Sequence, residues 1–330
     1  MKIDSKQKLN KKLFSKKIEL VPTRNGYGEA LVSLGKDNEK VVVLCCDLTE
    51  STRSKDFAEA FPERYVEVGI QEQNMAGLAT GMALSGYIPF IASYSVFSPG
   101  RNWDQVRVSV CYTNVNVKIA GAHAGISVGP DGATHQALED IAITRVLPNM
   151  TVIVPCDVHE TRKATIAAAN TPGPMYVRFA RSETAVMTTQ KSPFEIGVAN
   201  VLTRGDDATI IACGPLVYEA LEAAQELEKK HKIHVEVINN HTIKPIDAKT
   251  IIESAKKTKA VVTVEEHQIQ GGMGSAVAEV LAEYYPVPMR FIGMPNTFGE
   301  SGTPKELLEK YGMTKEKIIE SVLDVIKTKI

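Results

Sequence analysis

Glu72 stands in "EVGIQEQNMAGLATGMALSG" (67–86), between a short apolar run and an amphipathic stretch. A carboxylate in the first turn of a helix is favoured by the macrodipole, so Glu72 can be an ordinary helix-start acid. It can also be an acid held against a buried ligand. Ala76, Gly77, Ala79, Gly81 and Ala83 follow it, and such small residues allow another backbone to approach closely.

Four further groups could do chemistry. "AGAHAGISVGPDGATHQALED" (120–140) carries His123, Asp131 and His135 among glycines. It can be a surface loop, with Thr134 capping a helix that begins near His135 and Asp131 in an Asp-Gly turn. A loop this long more often has a function. Metal binding is the weaker alternative, because the His-x11-His spacing matches no standard ligand set. In "SYSVFSPGRNWDQVRVSV" (93–110), Tyr94 and Phe97 can line a slot for a flat ring or simply pack in the core. Arg24, Ser51 and Arg181 each sit beside an expected element end. Arginine forks suit phosphate oxygens, although any one of them alone would pass for a surface ion pair. Gly271, Gly272 and Gly274 precede a helix without a complete nucleotide-binding pattern. They are expected to serve close packing, and His267 beside them is expected to be structural.

The elements that must hold these residues alternate in type. Near-continuous apolar runs at 41–46, 88–93, 115–121, 150–155 and 174–180 predict strands of a parallel sheet covered on both faces. Met75, Leu78, Ala79, Met82 and Ala83 predict a helix over 71–86. Asp157, with Glu160 three residues on, predicts a capped helix to about Asn170. After an aperiodic segment the alternation resumes, with strands at 208–214, 233–239, 259–265 and 287–293 and helices near 216–230, 247–257, 273–284 and 314–328. The fold class is therefore α/β, with two doubly wound α/β domains. The expected division is a basic tail (1–20), a first domain (21–183), a linker (184–197) and a second domain (198–330). In such sheets ligands bind beyond the strands' carboxyl ends. Asp47, Ser51, Arg53, Gln71–Asn74, Tyr94, Phe97, His123 and Arg181 all follow strands.

Composition limits the rest. The chain has 330 residues and a formal net charge of −1, which gives no support to a nucleic-acid surface. No apolar run approaches the ~20 residues that span a bilayer. Five cysteines without a C-x-x-C pair favour a reducing cytoplasm over a disulfide framework. The first twenty residues hold seven lysines and two acids, and are expected to be a solvated tail rather than a partner-binding arm.

Taken together, "VGIQEQNMAG", "SYSVFSPGRNWDQVR", "HAGISVGPDGATHQALEDIA", "YVRFARSE" and "VEEHQIQGGMGSAVAE" resemble, in order, the second half of transketolases. The similarity runs from about Pro22 to the C-terminus and looks like the split form, in which this half is a separate subunit. It implies a pyrimidine-binding domain for thiamine diphosphate, followed by a smaller transketolase C-terminal domain that mainly supports assembly. Glu72 matches the glutamate that hydrogen-bonds the cofactor's aminopyrimidine and favours its imino tautomer. Tyr94 and Phe97 match aromatics around that ring. A third falls at Gly100, with Arg101 beside it in the cofactor-binding set, and Asp47 matches an acid of the cofactor cleft. His123 and His135 match histidines for donor hydroxyls and proton transfer, and Asp131 matches the residue holding the donor's second-carbon hydroxyl. Arg24, Ser51 and Arg181 match the substrate-phosphate group.

The family's Gly-Asp-Gly metal and diphosphate motif is not in this sequence; "RGDDA" and "GPDG" do not match it. The resemblance therefore implies a partner, an N-terminal-half subunit that carries the motif and holds Mg2+ or Ca2+, in an α2β2 assembly acting on sugar phosphates. The β subunit of pyruvate dehydrogenase and the deoxyxylulose-phosphate synthase have related domains, and a non-catalytic regulatory half is a further alternative. His123 argues against the synthase, whose pattern carries no histidine there. Arg24 and Arg181 fit sugar phosphates.

Overall fold

A computed structural model describes residues 1–329. The chain opens with β1 (Lys2–Ile3) and β2 (Leu20–Pro22). There follow α1 (Thr23–Asp37), β3 (Val41–Cys45), α2 (Lys55–Ala60), β4 (Tyr65–Glu67), α3 (Glu72–Leu84) and β5 (Ile88–Tyr94). Next come α4 (Trp103–Gln105), continued by π-helical turns over Val106–Tyr112, then β6 (Lys118–Ala122), α5 (Asp140–Arg145), β7 (Thr151–Ile153), α6 (Val158–Asn170), β8 (Met175–Arg178) and β9 (Glu183–Ala185). The second domain contains β10 (Asn200–Val201), β11 (Thr203–Arg204), β12 (Ala208–Ala212), α7 (Val217–Glu226), β13 (Val235–Asn239), β14 (Thr242–Lys244), α8 (Ala248–Thr258), β15 (Val261–Gln268), α9 (Met273–Tyr284), β16 (Met289–Met294), α10 (Pro304–Lys310) and α11 (Lys315–Ile326).

The first sheet runs β14-β7-β8-β6-β5-β3-β4. Its β3 to β8 pairs are parallel, and the edge strand β14, contributed by the second domain, is antiparallel to β7. The second sheet runs β10-β13-β12-β15-β16 and is parallel apart from β10. Strands β3, β6, β8, β12 and β13 are buried along their whole length, which is why they spell as largely apolar runs without strict alternation. Asp157 caps α6 by accepting the Glu160 N–H at 2.9 Å. The Glu160 carboxylate turns instead to the Cys156 N–H at 2.7 Å, so the expected capping box is half formed.

Residues 1–20 are not the solvated tail that their lysines suggest. β1 pairs with β11, Leu13 is 2% exposed, and Leu9, Phe14 and Ile18 pack on the second domain's core. The lysines are exposed while Leu9, Leu13, Phe14 and Ile18 between and beside them are covered. Within the 184–197 segment, Ala185, Val186 and Met187 are buried, and Asn10 Nδ2 donates to the Val186 carbonyl at 2.8 Å.

Candidate active site

The carboxyl ends of β3, β4, β5, β6 and β8 bring the chemistry-bearing residues to one edge of the first sheet. Glu72, the first residue of α3, is 1% exposed. Its Oε1 accepts from the Ser93 hydroxyl at 3.1 Å and its Oε2 from Arg101 at 2.5 Å. Asn102 Nδ2 donates to the Glu72 carbonyl at 3.2 Å, which fixes the start of the helix. Tyr94 and Phe97 lie nearly parallel, 12° apart with centroids 6.2 Å apart, and the Arg101 guanidinium covers the Phe97 ring at 4.6 Å. A Cβ at Gly100 would collide with the Val96 carbonyl. No side chain fits there, and Arg101 supplies the bulk beside Phe97.

His123, just beyond β6, is 1% exposed and takes a left-handed backbone, φ 54°. It stacks on Tyr94 at 4.0 Å, while the His135 ring stands edge-on to Phe97 at 5.5 Å. Burial, with the charges of Arg24 and Arg181 adding to it, pushes the His123 pKa down to about 3. The ring is thus neutral at physiological pH. Arg24 Nη1 lies 3.4 Å from His123 Nε2. A guanidinium only donates, which assigns the ring proton to Nδ1, a buried atom with no partner among the described residues. His135 is held by a 2.9 Å bond between its Nδ1 and the Thr134 hydroxyl. The helix expected at His135 starts instead at Asp140; His135 N–H closes a turn onto the Gly132 carbonyl at 3.0 Å.

A second group adjoins the first through Arg24. Ser51 meets Arg24 through its backbone carbonyl at 2.9 Å, not its hydroxyl. Arg181 donates to the Val128 carbonyl at 3.0 Å and to Asp131 at 3.1 Å. Asp47 stands apart. Its N–H donates to Glu67 Oε1 at 2.7 Å, and its side chain is exposed. The sequence reading missed Ser93, Asn102 and Glu67; Ser93 and Asn102 flank Tyr94 and Arg101 and were legible only as ordinary polar positions. Gly271 and Gly274 serve packing as expected, with Glu265 accepting the N–H groups of Met273 and Gly274 at 2.7 and 2.8 Å. Among the described residues, no three His, Cys, Asp or Glu side chains group as ligands for a metal ion.

The first domain is thus a doubly wound α/β domain with a dry carboxylate at a helix start and aromatic and imidazole rings at the same sheet edge. Residues 19–186 match the transketolase pyrimidine-binding domain, and residues 197–318 match the transketolase C-terminal domain. A putative transketolase C-terminal section of Methanocaldococcus jannaschii is 46% identical, over 92% of this chain and 96% of its own length. A 6-deoxy-6-sulfo-D-fructose transketolase subunit of Clostridium sp. is 39% identical, over 96% of this chain and 98% of its own length. A solved split-gene transketolase, described as an inactive beta4 tetramer, superposes with a TM-score of 0.88 at 47% identity, covering 94% of this chain and all of that one. The chain belongs to the transketolase family, whose members depend on thiamine diphosphate.

Proposed function

We propose that this chain is the C-terminal subunit of a two-chain transketolase. It moves a two-carbon ketol unit from a ketose phosphate to an aldose phosphate, in the cytoplasm, once joined to an N-terminal-half subunit. The observation that carries the reading is Glu72: a carboxylate sealed from water at a helix start, with donors on both oxygens and two aromatic rings nearby. These residues fit a polar, flat heterocycle, and the orphaned Nδ1 of His123 fits a polar ligand beside it.

Glu72 would hold the pyrimidine end of thiamine diphosphate, with Tyr94, Phe97 and Arg101 around it and Asp47 at the cleft. When bound, the cofactor supplies the nucleophilic carbon that accepts the ketol unit. His123, kept neutral, donates its Nδ1 proton to a substrate oxygen. His135, aligned by Thr134, serves as the second proton-transfer group. Asp131 orients the donor hydroxyl, and Arg24, Ser51 and Arg181 bind the terminal phosphate. The partner's Gly-Asp-Gly motif holds the diphosphate and the Mg2+ or Ca2+. Two copies of each chain close the α2β2 assembly.

Reconstitution tests this. Mixing the chain with a Gly-Asp-Gly-bearing subunit, thiamine diphosphate and Mg2+ is expected to give ketol transfer that neither chain gives alone. Glu72→Ala is expected to reduce it by at least about 100-fold. Full activity of the isolated chain, or an unaffected Glu72→Ala complex, would overturn the reading.

A further inference from the structure

The loop after β3 is wound so as to present one side chain. Arg53 N–H donates to the Glu50 carbonyl at 3.1 Å, and Ser54 N–H to the Thr49 carbonyl at 3.0 Å. The Thr52 hydroxyl lies between the Leu48 carbonyl, 3.0 Å away, and the Ser54 hydroxyl, 2.9 Å away. Thr52 and Ser54 are fully buried, while Arg53 between them is exposed and adopts φ 66°. That left-handed conformation is costly for a long side chain and persists where the surroundings enforce it. Gly28 of α1 makes room for it: a Cβ there would lie 2.7 Å from the Arg53 carbonyl oxygen. Arg53 Nε then donates to Asn25 Oδ1 at 2.9 Å. This bond orients the guanidinium and leaves both Nη groups without a partner among the described residues.

Arg53 lines a cavity of about 390 Å³ together with Arg24 and Arg181. Of the three, only Arg181 has a carboxylate partner among the described residues, Asp131; Glu183 also borders the cavity. Arg24 Nε is buried without a hydrogen bond among the described residues. Burial first, then the charges of Arg53 and Arg181, lowers the Arg24 pKa. Three guanidinium groups around one cavity repel each other unless an anion is present.

We propose that Arg53 is a specificity-determining residue, whose guanidinium completes a three-arginine cradle selecting substrates that end in a phosphate dianion over those that end in a monoanion. The inference deepens the ketol-transfer reading and rests on it for the rest of the substrate. The anion site, however, is built from this chain alone, so it can be tested alone.

Inorganic phosphate and methanesulfonate would be titrated calorimetrically into the full chain at pH 7.5 and fixed ionic strength. Phosphate is expected to bind more tightly than methanesulfonate. Arg53→Gln, with circular dichroism checking its fold, is expected to weaken phosphate about tenfold and methanesulfonate about twofold. Arg53→Lys, which keeps the charge, is expected to fall between. In the reconstituted complex, Arg53→Gln should raise KM for a phosphate-terminated donor about tenfold and leave kcat nearly unchanged. Equal phosphate affinity in wild type and Arg53→Gln, or an equal loss for both anions, would overturn the proposal. Phosphate binding that depends on Arg53, in a chain whose complex lacks ketol transfer, would instead refute the ketol-transfer reading and leave the anion cradle standing.

Discussion

Arg101 Nη1 donates to Glu72 Oε2 at 2.5 Å, reaching from a side chain 43% exposed to one 1% exposed. Ser93 serves the other oxygen. A buried carboxylate is tolerable because both oxygens have donors. Arg101→Ala leaves one of them unserved and strips the cover from Phe97. The expected cost is about 1–3 kcal/mol in urea unfolding. In Arg101→Ala/Glu72→Gln the charge is removed with its partner, so the double variant should be more stable than the sum of the two single losses. Additive losses would show that the pair is uncoupled.

His123 gives the protein a specific acid sensitivity. Its pKa is depressed to about 3 in the folded chain, from about 6.5 unfolded. Between these values the unfolded state binds the extra proton. The stabilisation linked to His123 is therefore fully present above about pH 6.5 and is lost as pH falls towards 3. Buried Glu265 and Glu266, whose pKa values burial raises, act with the opposite sign below neutrality, so the useful quantity is a difference. Urea unfolding at pH 7.5 and pH 5 should show a smaller acid-induced loss in His123→Asn than in wild type. Identical losses would mean that the imidazole is not held neutral.

The parts of the fold that the sequence expressed locally are found where they were expected. α9 occupies Met273–Tyr284 because its apolar spacing and glycine-rich entry are properties of adjacent residues. β14 was illegible: Thr242–Lys244 owes its strand character to β7, some ninety residues away. The lysines of the N-terminal segment predict a solvated tail, whereas Leu9 and Leu13 between them decide where it packs. At the site, residue type singled out Glu72, His123 and Arg181. Arg53 is legible in the sequence only as a residue that follows the first strand, because its left-handed turn and its Asn25 contact have no sequence signature.

Asp140 and Arg178 form a buried pair beneath the loop that carries His123 and His135. Arg178 Nε donates to Asp140 Oδ2 at 2.7 Å, and Tyr176 OH donates to the same oxygen at 2.6 Å. Burial pushes the Asp140 carboxyl up, but Arg178, with help from His267, brings it net below the usual range. Arg178 also donates to the Ala137 and Glu266 carbonyls, so the pair ties the loop to the second domain. Asp140→Asn leaves the guanidinium buried without its counter-charge, and a loss of about 3–5 kcal/mol is expected in denaturant unfolding at pH 7.5. A loss below about 1 kcal/mol would show that the pair is replaceable.

Glu266, near the end of β15, ties the second domain to the loop that carries His123 and His135. Its Oε1 accepts the Ser127 N–H at 2.5 Å, and its side chain packs where a Cβ on Gly125 would sit. Gly125 and Ser127 lie two and four residues beyond His123, so this one carboxylate sets the path of the loop. Gln136 adds a second tie, donating to the Glu300 carbonyl at 2.9 Å. Glu266→Ala orphans the Ser127 N–H and opens space beside Gly125. Ketol transfer by the reconstituted complex is expected to fall about 10- to 100-fold in kcat/KM. Glu266→Gln keeps an acceptor for Ser127 and is expected to stay within about threefold of wild type. A structural loss alone would lower the melting temperature of both variants in step with activity. A positioning role separates them: the glutamine variant restores the rate, and the alanine variant keeps its thiamine diphosphate affinity while losing turnover.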